Sequence, residues 1–174
     1  MVDDLSELHR IEREARREQA SAEAESLQLH LASRTLGDFC WEAMQGGAVL
    51  RVGWPGGKLV GDPLAAVRDL LVLKVDVGTA AVNLSVVSSI TIVERRPEVA
   101  TVGERDPGSF LAWCRMVESR SVRVQLVSGR TAEGTLTAVT PDHLLVATRS
   151  GDQSALAHAS VAAVQVEGDP LFGV

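Results

Sequence analysis

Most of this chain is written twice, and that repetition governs what its 174 residues can fold into. Trp41 and Trp113 stand 72 residues apart, as do Met44 and Met116. Leu50-Arg51-Val52 lies over Val122-Arg123-Val124 at the same offset, and Gly57-Lys58 lies over Gly129-Arg130. Leu64-Ala65-Ala66-Val67 then covers Leu136-Thr137-Ala138-Val139, and small gaps follow near Asp69 and Asp142. An ordered series of matches at one spacing marks an internal duplication, so the fold must be one that a single short copy can make.

Each copy has the same grammar. A short helix is expected over about 36–46 and 107–118, carrying Phe39, Trp41 and Met44 in the first copy and Phe110, Trp113 and Met116 in the second. A strand with period-two alternation follows. Leu50, Val52 and Trp54 point one way with Arg51 opposite; Val122, Val124 and Leu126 point inward with Arg123 and Gln125 outward. A glycine-containing turn comes next, Pro55-Gly56-Gly57 or Ser128-Gly129, suited to a hairpin. Gly61 and Gly134 interrupt the second strand, where a small barrel needs a sharp bend. Further strands end at Ile90-Thr91-Ile92 and Val164-Gln165-Val166. One helix and about five short strands per copy give a mainly β, α+β fold of two bent five-stranded barrels, not a parallel α/β sheet.

The organisation expected is an N-terminal charged helical arm over 1–34, a first barrel over 35–95 and a linker over 96–106. A second barrel over 107–168 and a tail over 169–174 complete it. In the arm, Leu5, Leu8 and Ile11 fall at helical spacing, and Glu12 and Arg16 stand four apart in the favourable order. The seam is thin, so the arm reads either as a mobile or partly helical segment or as a coiled-coil or docking helix for a protein partner.

The stretch VRVQLVSGRTAEGTLTAVTPDHLLV resembles the first motif of the Sm-like family, which includes the Hfq-like RNA chaperones. Val122, Val124, Leu126, Gly129, Gly134 and Leu136 carry the likeness, and Asp142 and Asp69 can supply the family's acidic residue, Asp142 standing two residues later than the motif places it. The resemblance covers roughly 36–95 and 107–168. It implies a short helix before a bent five-stranded barrel, ring assembly through edge strands, and binding of single-stranded RNA. The sequence departs from the family where RNA is touched. Val146 and Leu73 stand in place of the RNA-contacting Asn, and neither copy has the Arg-Gly pair. Where the Hfq-like branch has Lys-His-Ala, the second copy has Ala157-His158-Ala159 and the first has Asn83-Leu84-Ser85.

The resemblance makes His158 a pore-facing RNA contact; a structural histidine in an apolar strand is the plainer reading. Asp142 and His143, with Asp69 in the first copy, can hydrogen-bond a base or simply open a turn. Arg51 and Arg123, outward cations at matching positions, can meet phosphate or discourage unwanted edge pairing. Trp54 lies in the inward phase of its strand and fills the core.

Charge and composition weigh against a phosphate grip. Seventeen Lys and Arg against 23 Asp and Glu leave a net charge of −6, and only three Trp, three Phe and no Tyr are present for base stacking. Cys40 and Cys114 form no CxxC pair and adjoin helix tryptophans as small hydrophobes. His9, His30, His143 and His158 have no metal-ligand spacing, so no metal and no cofactor are expected. Gly53 to Leu59 lacks both the spacing and the Ser/Thr of a phosphate-binding loop, and no G-x-S-x-G elbow occurs. Asn83-Leu84-Ser85 fits a glycosylation triplet by chance only, because the charged N-terminus is no signal peptide. The expectation is a non-enzymatic, cytoplasmic tandem Sm-like module binding short single-stranded RNA, or a protein–protein scaffold that has lost the RNA pocket. Either form self-associates through its edges, with three chains supplying six barrels to a ring.

Overall fold

A computed structural model describes residues 16–26, 28, 33–96, 108–148 and 150–168. The chain falls into two units, Met1–Arg34 and Thr35–Val174. In the first unit residues 16–26 are helical and exposed, with Gln19 donating to Glu23 one turn on. The arm's Leu5, Leu8, Ile11 and Glu12, the linker after Arg96 and the tail lie outside the described residues.

In the second unit, helix α1 (Leu36–Gln45) starts at Thr35, whose side chain accepts from Asp38 N while the Asp38 carboxylate accepts from Thr35 N. This reciprocal pair satisfies two otherwise orphaned donors. Strands β1 (Ala48–Trp54), β2 (Gly57–Val67), β3 (Leu70–Lys74) and β4 (Thr79–Asn83) follow. A 3-10 turn over Leu84–Val86 then leads to β5 (Ser89–Arg95). The second repeat runs through α2 (Phe110–Met116), capped by Ser109, then β6 (Ser121–Leu126), β7 (Thr131–Val139) and β8 (His143–Ala147). Strand β9 (Gln153–Ala157), a 3-10 turn over His158–Ser160 and β10 (Val161–Val166) complete it.

All strand pairs are antiparallel, and the ten strands form one open sheet in the order β5-β1-β2-β3-β4-β10-β6-β7-β8-β9. The fold is mainly β with helices. The strands do not form two sheets each closed on itself. Within each repeat the last strand returns beside the first, and β4 then pairs with β10 across the repeats, opposing Ala81 to Val164. Strands β5 and β9 are left at the two edges.

The glycines interrupting the second strands allow close approach of the next strand. A Cβ on Gly61 would lie 2.3 Å from Lys74 O, and one on Gly134 would lie 2.1 Å from Ala147 O. A register shift follows each, between Pro63 and Ala65 and between Leu136 and Ala138, and such bulges bend a strand. These shifts correct the repeat alignment. Opposed pairs put Leu64 over Thr137, an offset of 73 rather than 72 across β2 and β7. The helices depart further. Their caps, Thr35 and Ser109, are 74 apart, which puts Phe39 and Cys40 over Trp113 and Cys114. Trp41 is accordingly 42% exposed while Trp113 is fully buried, and Met116 is exposed while Met44 is buried.

Two cores result. The first joins Cys40 and Ala43 of α1 to Leu50, Val52, Trp54, Leu71, Leu73 and Val82. The second joins Phe110, Trp113 and Cys114 of α2 to Val122, Val124, Leu136, Leu144 and Val164, and also takes Leu70, Val72 and Ala81 from the first repeat. Strands β3 and β4 thus bury both faces and form a wall shared by both cores. Full burial of side chains such as Leu70 and Val72 contributes roughly 1.5–3 kcal/mol each. Among the described residues no helix is long and apolar enough to cross a membrane.

Candidate functional site

Of the residues singled out in the sequence, Asp69, Asp142, His143 and His158 lie at two equivalent corners, where the turn between the second and third strands of a repeat meets the 3-10 turn after the fourth. In the first repeat Leu84 N donates to Asp69 O at 2.9 Å; in the second His158 N donates to Asp142 O at 3.0 Å. These matching bonds place Asp69 over Asp142 and Leu84 over His158.

The first corner is sealed by the rest of the chain. The Asp69 carboxylate accepts from Phe110 N at the start of α2, at 3.3 Å. Asn83, only 7% exposed, donates through Nδ2 to His158 O at 3.3 Å and Val161 O at 3.2 Å, and its Oδ1 accepts from Ser85 N. It clasps the two 3-10 turns together. The sequence reading of Asn83 as a chance triplet passed over this role; an amide closing the apolar run Thr79-Ala80-Ala81-Val82 is the signal that was there.

The second corner is open. The Asp142 side chain is 84% exposed and that of His143 is 31% exposed. His143 Nδ1 lies 2.6 Å from Asp142 Oδ1, and because an ionised carboxylate only accepts, the ring nitrogen is the donor. The Thr140 hydroxyl also donates to Asp142 Oδ1. Hydrogen bonds from His143 and Thr140 hold the Asp142 carboxyl below its ordinary pKa, so this corner presents an anion. His158 sits in the 3-10 turn, not in a strand as its apolar flanks implied; its Nε2 is buried and makes no hydrogen bond.

The two arginines lie away from the corners, on strands. Arg51 is exposed on β1. Arg123 is exposed too, but its Nε donates to Glu133 Oε1 at 2.7 Å, opposite it on β7. An open groove of about 640 Å³ beside Arg123 contains Glu133, Glu167 and Gln165 as well, so among its described lining residues two carboxylates stand against one cation.

Neither family models nor curated protein sequences match this chain. What it does must therefore be read from its own geometry. Among the described residues no cluster of three or more His, Cys, Asp or Glu side chains is placed to hold a metal ion. Cys40 and Cys114 are fully buried, and burial pushes both thiols up to about 12, which makes them poor nucleophiles near neutral pH.

Proposed function

We propose that the chain is a non-enzymatic interaction module, two tandem Sm-like barrels acting as a self-assembling protein scaffold. One observation carries this reading: the β4–β10 ladder within the chain joins two strand edges whose repeat counterparts, β9 and β5, are both edges of the sheet. An exposed edge is a row of unpaired backbone donors and acceptors, a template for another strand. Pairing β9 of one chain with β5 of the next repeats the internal ladder between molecules. The pairing is head to tail, so it closes into a ring when the rotation allows, and three chains then supply six barrels.

Transferring the internal register puts Ser154 opposite Thr91, as Ala80 lies opposite Gln165. Directly opposed antiparallel residues have Cα atoms about 4.5–5.5 Å apart, within disulfide reach. The double variant Ser154→Cys/Thr91→Cys is expected to give a reducible ladder of cross-linked chains under mild oxidation. The buried native thiols stay out of the reaction. Cross-linking by Ser154→Cys alone, through β9–β9 pairing, or a single-chain mass for the wild type at all concentrations in light scattering, overturns the reading.

A second reading, binding of short single-stranded RNA, is favoured by the bond from His158 N to Asp142 O. It gathers Asp142, His143 and His158 at one open corner. Anisotropy of labelled U-rich and A-rich oligoribonucleotides at several salt concentrations separates the two. The scaffold reading expects no discrimination between sequences and no binding at physiological salt.

A further inference from the structure

Three comparisons between the repeats show the first core lacking what the second possesses. Phe110 and Trp113 of α2 are 2% and 0% exposed, yet their cap-aligned counterparts on α1 are Leu36, at 42%, and the partly exposed Phe39. Val164 and Val166 of β10 are 0% and 2% exposed, whereas Ile90 and Ile92 of β5, opposed to the first strand in the same way, are partly exposed. The second core is completed by the outer face of β3 and β4, through Leu70, Val72 and Ala81. The counterpart face of β8 and β9, carrying His143, Leu145 and Ala155, is partly or fully exposed.

We infer that α1 of a second copy of this chain seats against the outer face of β8 and β9, and that Asp142 receives that helix's first turn. This rests on the scaffold reading and names the surface that joins the copies. The internal joint supplies the geometry. There α2 begins against Asp69, which accepts Phe110 N, and its aromatic side chains share a core with Leu70 and Val72. At the joint between molecules, Asp142 takes the place of Asp69, Leu36 N that of Phe110 N, and Leu145 that of Val72. The Asp142 anion suits the positive end of a ten-residue helix. In this arrangement the open corner is a socket for protein.

The joint is looser than its internal template. Ala157 occupies the position of Asn83 and cannot bond the neighbouring 3-10 turn, so assembly is reversible and concentration-dependent.

The test is the mass of the full chain by light scattering or sedimentation across concentrations. Leu36→Glu and Leu145→Glu are each expected to reduce the assembly to single chains, while Asp142→Ala raises its dissociation constant several-fold. Trp41→Glu, on the same helix but at the position matching exposed Arg115, leaves assembly unchanged. An equal mixture of the Leu36→Glu and Leu145→Glu chains retains one intact α1 and one intact seat. It is expected to form a complex of two chains, which also shows that both variants fold. Assembly unaffected by Leu36→Glu and Leu145→Glu, or no complex from the mixture while the wild type assembles, overturns this joint and leaves edge pairing standing. A wild type that never exceeds one chain removes the scaffold reading itself.

Discussion

At the scale of single residues, two glycines decide the path of the sheet. Gly61 and Gly134 sit opposite Leu50 and Val122, and each lets the following strand cross where no Cβ fits. Gly134→Ala would place a methyl 2.1 Å from Ala147 O, against backbone that cannot rotate away. It is expected to cost about 1–3 kcal/mol, read as a lower urea midpoint with an unchanged slope. These glycines were legible in the sequence, because a glycine within an alternating strand has few other uses. So was the inward Trp54, 4% exposed, from the parity it shares with Leu50 and Val52. Trp41 was not. Identical residues at a constant spacing matched it to Trp113, but α1 runs ten residues to α2's seven, and the extra length turns Trp41 to solvent. Identity of residue type says nothing about helical phase.

At the scale of elements, the sequence yields the helix-then-strands grammar of each repeat but not the partners of its last two strands. The omission has a physical cause: turn residues fix which consecutive strands pair, while β4 and β10 are distant in sequence and meet only through assembly of the cores. A cue was nonetheless present. Leu70-Leu71-Val72-Leu73 and Thr79-Ala80-Ala81-Val82 are continuous apolar or small runs, the mark of strands buried on both faces. Their counterparts, His143 to Ala147 and Gln153 to Ala157, show the burial alternation of a strand with one free face. Asp142, His143 and His158 stand at one corner, a proximity that strand alternation does not reveal, and the ion pair of Arg123 with Glu133 opposite it on β7 is equally invisible until the register is known. The element that most depends on one side chain is the pair of 3-10 turns clasped by Asn83. Asn83→Ala leaves His158 O and Val161 O without that donor and is expected to lose about 1–3 kcal/mol in chemical denaturation.

At the scale of the whole molecule, the shared wall makes the second unit indivisible. Leu71 and Leu73 serve one core and Leu70 and Val72 the other, so neither repeat can unfold without stripping a face from its neighbour. Thr35–Val174 is therefore expected to melt in one transition. In a fluorescence variant retaining only Trp54, and in one retaining only Trp113, fluorescence and far-UV circular dichroism should give the same midpoint within each variant, and two midpoints in one variant would show repeats that unfold separately. The ladder that fuses β4 to β10 has an arithmetical consequence too. In the ring proposed above, each chain would bring its two repeats in one covalent piece, so rings of five or seven repeats are forbidden unless one is left out. Around the proposed ring two sorts of joint would alternate, one within the chain and held by Asn83, the other between chains where Ala157 stands in place of Asn83. Such a ring can come apart only at every second seam, and it always comes apart into the same piece.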